Sequence, residues 1–166
     1  MPRKKKATAS GKKKSTASPR KAASKKSPQK NDILTLDILC NGCAIGPIGY
    51  ECRRIIEMRS DQTFADLHWA IQDIFDFDAD HLYSFFLGER LWDPENAIGP
   101  NEDDANDDEL TTLGSKLVKN QIFAYIFDFG DEWVFTIKVS KVRSEAKRDK
   151  RYPKLISEIG AHPEQY

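Results

Sequence analysis

Apolar and polar residues alternate through ILTLDIL (Ile33–Leu39), the period of a half-buried β-strand. CNGCAIGPIG follows, rich in Gly, and reads as turn material. YECRRIIEM (Tyr50–Met58) predicts a second strand. On it Arg53 and Arg54 point to opposite faces, so one of them must lie near the core layer and pair with a carboxylate. The period then changes. In SDQTFADLHWAIQDIF, Thr63 is placed to cap a helix and Asp66 to complete a capping box. Phe64, Leu67, Ile71, Ile74 and Phe75 share one face of that helix, the expected core stripe. His68 lies off the stripe and is expected at the surface or its boundary.

His81–Gly88 (HLYSFFLG) predicts a third strand, opened by His81. Asp93–Glu109 holds eight acids and no base among loop formers, and is expected to be a long exposed loop. TTLGSKL suggests one helical turn capped at Thr112. Ile122–Phe127 is apolar at every position, as expected of a central strand covered on both faces. Glu132–Val139 alternates again, with Trp133, Phe135, Ile137 and Val139 inward. The stretch from Lys141 onward is charged, holds two Pro and predicts irregular structure. Together these elements predict an α+β fold, an antiparallel sheet with one main packed helix and a β-β-α-β start. One domain is expected over residues 32–166, behind a tail of residues 1–31.

Between the last two strands stands FDFGDEW. A three-residue hairpin loop commonly combines a type I turn with one left-handed residue. Asp128 and Phe129 would fill the turn and Gly130 would supply the positive φ. The rival reading is chemical. Asp128 and Asp131, with His81, could bind a divalent cation in a metal-dependent hydrolase, although hard cations usually recruit more oxygens. DFG also occurs at the metal site of protein kinases, but the Gly-rich loop and H-R-D loop of that fold are missing.

Charge redraws the picture. Lys and Arg number 26, as do Asp and Glu, for a net charge of zero. Residues 1–30 hold twelve bases and no acid, leaving 14 bases against 26 acids in the rest, a net of −12. The twelve are Arg3, Lys4, Lys5, Lys6, Lys12, Lys13, Lys14, Arg20, Lys21, Lys25, Lys26 and Lys30. They stand among Ala, Ser, Thr and Pro, a composition that cannot bury enough apolar surface to offset its ordering entropy, so disorder is expected. The tail lacks the apolar core of a secretory signal, and no stretch approaches the length of a membrane span. The expected setting is cytoplasmic, nucleoid-associated if the tail binds DNA, with no membrane partner.

Three cysteines fit a reducing compartment. Cys40 and Cys43 form a lone C-x-x-C and Cys52 stands apart, without the second ligand pair of a zinc site. Reduced thiols are the leading expectation, with a metal site and a redox pair as alternatives. No metal or cofactor is predicted, and no catalytic residue.

AYIFDFGDEW resembles the Tyr-x-Tyr-Asp-Phe-Gly-Asp-x-Trp signature of the plasmid ORF-3-like family (pRiA4b type), also described as transposon passenger proteins. YECRRIIEMRSDQTFADLHWAIQDIFDFD is similar to that family's Trp-Arg-Arg strand and Leu-Ala-Asp-Leu-His helix. HLYSFFLGER resembles its His-Leu-x-x-Phe strand, and RYPKLISEIGAHPEQY its Tyr-Pro-x-Cys C-terminal segment. The resemblance spans residues 33–166. It marks Arg53, Arg54, Asp66, His68, His81, Asp128, Phe129, Gly130, Asp131 and Trp133 as family-motif residues. The family usually has His where this chain has Phe135, and Cys at Leu155 and near His162. The resemblance implies an association with mobile elements and no established reaction.

The favoured function is a non-enzymatic binding module tethered to nucleic acid by the basic arm. Ser18–Lys21 (SPRK) and Ser27–Lys30 (SPQK) resemble the Ser-Pro-x-basic repeats of linker-histone tails, which suit the narrow grooves of A·T-rich DNA. The alternatives are the hydrolase above and a protein-interaction domain whose tail is an address. The partner of the folded part would be an unidentified protein or small ligand.

Overall fold

A computed structural model describes residues 28–29, 32–100, 107–144 and 151–165. The chain forms an antiparallel sheet of eight strands with one main helix on its buried face.

β1 (Asp32–Cys43) buries Leu34, Leu36, Ile38 and Cys40 on the helix side. It runs straight through the CNGC stretch expected to be a turn. The reversal comes later, into β2 (Gly46–Pro47), which pairs with the end of β1. Gly42 permits that hairpin: its φ is 121°, and a Cβ there would run into the Gly46 carbonyl. β3 (Arg53–Arg59) pairs with the same edge of β1 as β2, further back along the strand, and starts three residues later than expected.

α1 (Phe64–Phe75) begins at Thr63, whose side chain accepts from the Asp66 N–H while the Asp66 carboxylate accepts from the Thr63 N–H. It lies across the sheet through aromatic contacts, Phe64 on Phe85 at 5.2 Å and Phe75 on Phe135 at 5.0 Å. Its buried face is wider than the apolar stripe: His68 and Gln72 are buried too. The helix ends at Asp76, which takes the left-handed conformation with φ 56°.

β4 (Tyr83–Phe86) occupies the middle of the predicted third strand. The acidic stretch after it is not simply an exposed loop. Pro94–Asn96 form a 3₁₀ turn and β5 (Ala97–Ile98) pairs with β4, burying Ile98. Asp108 is also buried, 2% exposed, because it reaches back to β4. Residues 101–106 lie outside the described residues. α2 (Leu113–Lys116) is the single turn expected, with Thr112 as N-cap but no side-chain capping bond.

β6 (Ile122–Phe127) and β7 (Trp133–Ser144) form the hairpin. β6 departs from full coverage in its first half, where Ile122 is exposed and Ala124 half-buried. Trp133, Phe135, Ile137 and Val139 are buried, as their period requires. The C-terminal stretch expected to be irregular contains β8 (Lys154–Ile159), which pairs with β3. Its side chains are exposed on both faces, so it carries no apolar alternation to read. The sheet order is β5-β4-β6-β7-β1-β3-β8, with β2 attached to β1. Its outer face is polar, with Arg53–Asp37 at 3.2 Å and Arg143–Glu57 at 2.9 Å.

The twelve bases of the tail, and the disorder expected over residues 1–27, lie outside the described residues, but the tail's end is ordered, the Gln29 carbonyl accepting from the Asp32 N–H at 2.9 Å and from the Ser60 hydroxyl at 2.5 Å. No helix among the described residues is long and apolar enough to cross a membrane.

Candidate functional site

The acidic turn is built differently from its expected form. Gly130 does not supply the left-handed residue. Asp128 and Glu132 do, with φ of 56° and 50°. Asp128 can, because its carboxylate Oδ1 accepts from the Gly130 N–H at 2.9 Å and the Asp131 N–H at 3.3 Å. This is an Asx turn, in which a short side chain stands in for a backbone acceptor. The Asp128 N–H donates to the Leu82 carbonyl, tying the turn to the start of β4. His81 Nε2 lies 3.7 Å from Asp128 Oδ2 and 3.3 Å from Asp80 Oδ1. Among the described residues no three His, Cys, Asp or Glu side chains are placed to hold a metal ion.

Beyond the turn the chain forms a wall. The Asp131 carbonyl accepts from the Ala44 N–H at 2.7 Å, holding the β1–β2 hairpin in place. Opposite stands the segment after β8. Gly160, at φ 74°, passes so close to Glu51 that a Cβ would strike its carbonyl oxygen. Gln165 anchors the segment's end: its Oε1 accepts from the Asp78 N–H at 2.6 Å and its Nε2 donates to the Asp78 carbonyl at 3.2 Å. Between the walls opens a cleft of about 800 Å³. Cys43, Ile45, Ile48 and Tyr50 line one side, Ala161, His162 and Glu164 the other, and Trp133 also lines it. Trp133 is buried against Phe77, with ring centroids 5.1 Å apart, yet its Nε1–H has no partner among the described residues. A buried donor without an acceptor is costly.

A second polar cluster lies under α1. His68 Nδ1 and the Tyr125 hydroxyl are 2.7 Å apart, and Gln72 Nε2 donates to the same oxygen at 2.8 Å. The His68 ring stacks on Tyr83 at 3.5 Å, and the Tyr83 hydroxyl donates to Asp108. Burial lowers the His68 pKa to about 4 and holds the ring neutral. His68 is thus a core residue, not the surface residue expected from its place off the apolar stripe: Tyr125 gives it a partner that one helix cannot reveal. His81 is partly exposed, just ahead of β4.

Arg54 is the arginine of the core face, 3% exposed. Its Nε lies 3.2 Å from Glu158 Oε1, its NH1 donates to the Ile159 and Gly160 carbonyls at 3.2 Å, and its guanidinium sits 5.1 Å from the Phe75 ring. Arg53 faces outward onto Asp37 and Glu51. Arg54 therefore holds β8 and the start of the cleft's second wall. Cys40 meets Cys52 across the sheet, the Cys40 N–H donating to the Cys52 carbonyl at 2.9 Å, and all three thiols are free. Burial pushes the Cys40 thiol up to about 12.

A family model described as plasmid pRiA4b ORF-3-like protein matches residues 44–165. The chain belongs to that family. Among solved structures it is similar to a protein of unknown function from Methanosarcina mazei Go1, at 25% identity and a TM-score of 0.63, over 80% of this chain and 71% of that one. No match was found among curated proteins.

The motif residues now have separate places. Asp128 and Gly130 shape the turn, Asp131 props the hairpin by its backbone, and Trp133 lies beside the cleft. Phe129 is 38% exposed and meets Trp92 edge-on at 4.9 Å. Asp66 caps α1. The structure does not bring Asp131, His68 and His81 into one site. Sequence reasoning missed Cys43, Tyr50, His162 and Glu164 as cleft residues, and Gln72, Tyr83, Asp108 and Tyr125 as partners of His68. The cleft's legible traces were the Gly and Pro of Gly46–Pro47 and the late Pro163, which line it.

Proposed function

We propose that the chain is a non-enzymatic binding module, held on nucleic acid by its first thirty residues, whose folded domain receives a ligand in the cleft. The observation that carries this reading is the partition of charge: twelve bases and no acid in residues 1–30, against a net of −12 in the remainder. A polycation binds polyanions by counterion release, whereas an acidic body meets like-charge repulsion from phosphate. Support for the second half of the reading is the open, largely apolar cleft that Trp133 helps to line. The family's description refers to a plasmid, and a mobile-element or nucleoid setting would suit such a tether.

The test keeps the full chain and replaces the twelve bases by Gln. Binding to a DNA duplex is followed by gel shift across a salt series. The parent should bind with a steep log–log salt slope, about 0.9 per phosphate neutralised, and the variant should not shift the duplex at all. Equal binding by both chains would defeat the proposal. A second reading, a cation-dependent hydrolase, has behind it only the approach of His81 to Asp80 and Asp128, and these side chains are not placed to hold a metal ion. The melting experiment on Asp128 below separates the two.

A further inference from the structure

Trp92 holds the left-handed conformation, φ 61°, which strains a bulky side chain. Its ring sits between Phe86 at 5.5 Å and Phe129 at 4.9 Å, yet it stays 45% exposed. Leu82 and Leu91 are exposed nearby, by 65% and 46%. The ground between these side chains is hollowed. Leu82, Tyr83, Pro100 and Phe129 line a groove of about 280 Å³, and Leu91 and Trp92 line a second of about 240 Å³. Pro94 lines both, so the two are continuous. Acids flank them: Asp80, Asp93, Glu95 and Asp131 stand within two positions of Leu82, Pro94 or Phe129, and none of the four is buried. Arg90 is the one base that lines either groove. Aromatic and proline-lined grooves take up extended proline segments, whose fixed backbone loses little entropy on docking. An acidic flank and open ring faces add a preference for Arg or Lys beside that proline.

We propose that this chain's own Ser18–Lys21, SPRK, docks in the groove, with Pro19 in the larger hollow beside Phe129 and Arg20 and Lys21 against Trp92 and the flanking acids. Charge selects the arm as occupant, since residues 1–30 hold twelve bases and no acid. The route by which the arm joins the domain leads to the groove. Pro28 and Gln29 share a hollow with Thr112 and Ser115. The Thr111 N–H donates to the Asp107 carbonyl at 3.0 Å, and Asp107 bridges to Gly99, which lines the groove. Reach selects the segment. Pro19 lies nine positions before Pro28, and nine extended residues span roughly 30 Å, comparable with the diameter of a domain of this size. Pro2, the arm's other free proline, would close a loop of 26 residues at a higher entropy cost. While docked, Arg20 and Lys21 are withheld from any competing polyanion, so the groove sets how much of the arm is free. The contact itself needs no nucleic acid and does not rest on the function proposed above.

Two-dimensional amide NMR of the full chain, with no nucleic acid present, tests this. The Trp92 indole N–H and the amides of Leu82 and Phe129 report on the groove, and the amides of Ile45 and Ile48 serve as a reference at the cleft. Raising the salt from about 0.05 M to about 0.5 M should shift the groove signals of the parent and leave the reference in place. At low salt, Pro19→Ala should already show the groove signals at their high-salt positions, and so should Arg20→Gln combined with Lys21→Gln. Lys4→Gln, Lys5→Gln and Lys6→Gln together remove more charge at a greater distance, and should leave the groove signals as in the parent. All these substitutions lie in the arm, and thermal melting checks that the domain is as stable as the parent's. Groove signals that respond neither to salt nor to Pro19→Ala overturn the proposal. So does a Pro19→Ala chain that behaves as the parent, which would mean that the arm rests on the acids by charge alone. A response at Ile45 and Ile48 equal to that of the groove overturns it as well.

Discussion

Asp128 shows how one side chain can fix a turn. Its left-handed backbone is tolerable because Asp and Asn adopt that region more readily than other non-glycine residues. Its Oδ1 also satisfies two N–H groups of the turn. Asp128→Asn keeps a carbonyl acceptor and the backbone preference, and should melt close to the parent. Asp128→Ala loses both and should cost about 1–3 kcal/mol, a drop of several degrees in Tm. Differential scanning fluorimetry with and without added Mg²⁺ or Mn²⁺ checks this. A rise in the parent's Tm with cation that Asp128→Asn abolishes would make the turn a metal site and bring the hydrolase forward. The sequence pointed to Gly130 for the left-handed residue because glycine is the commonest choice. The carboxylate's own hydrogen bonds moved that role to Asp128.

At the scale of an element, α1 is fastened to the sheet by polar as well as apolar contacts. His68 bonds Tyr125 of β6 and stacks on Tyr83 of β4. Its pKa falls from about 6.5 in the unfolded chain to about 4 in the fold. Between those values the unfolded chain binds the extra proton, so stability falls as pH drops through this window. The contribution is complete above about pH 6.5 and is lost towards pH 4. His68→Gln keeps a hydrogen-bonding side chain that does not titrate. It should melt below the parent at pH 7, but lose less Tm between pH 7 and pH 4.5. Thermal melts by circular dichroism at the two pH values check it. An equal loss in both chains would show that His68 does not carry the acid sensitivity.

For the whole molecule, the issue is how a +12 arm and a −12 body share one chain. If the arm holds nucleic acid as proposed, the acids of the 93–109 segment would compete for it. Asp93, Glu95 and Glu109 are exposed or half-exposed, whereas Asp108 is buried and holds Tyr83. Replacing the segment's acids other than Asp108 by Asn and Gln should therefore tighten duplex binding. The gain should be largest at low salt and shrink near 0.15 M, where the screening length is about 8 Å. Fluorescence anisotropy with a labelled duplex measures it, and an unchanged Kd at low salt would remove the segment from competition.

Periodicity determined much of the fold by itself. β1, β3, α1 with its capping box, β4, β6 and β7 were legible because each buries one face and must repeat apolar residues at its own period. The charge partition was legible for the same kind of reason, since it is a property of composition. What only the tertiary structure decided was set by contacts between segments far apart in the chain. β8 is an edge strand without a buried face, so it leaves no periodic trace. His68 enters the core because Tyr125 and Tyr83 meet it there, 57 and 15 positions away. Cys40 and Cys52 become neighbours only through the β1–β3 register. The cleft exists because the Asp131 carbonyl, Gly160 and Gln165 place two loops around Trp133. Backbone hydrogen bonds and close approaches of that kind are nearly independent of side-chain pattern, so no reading of apolar and polar positions could have assembled them.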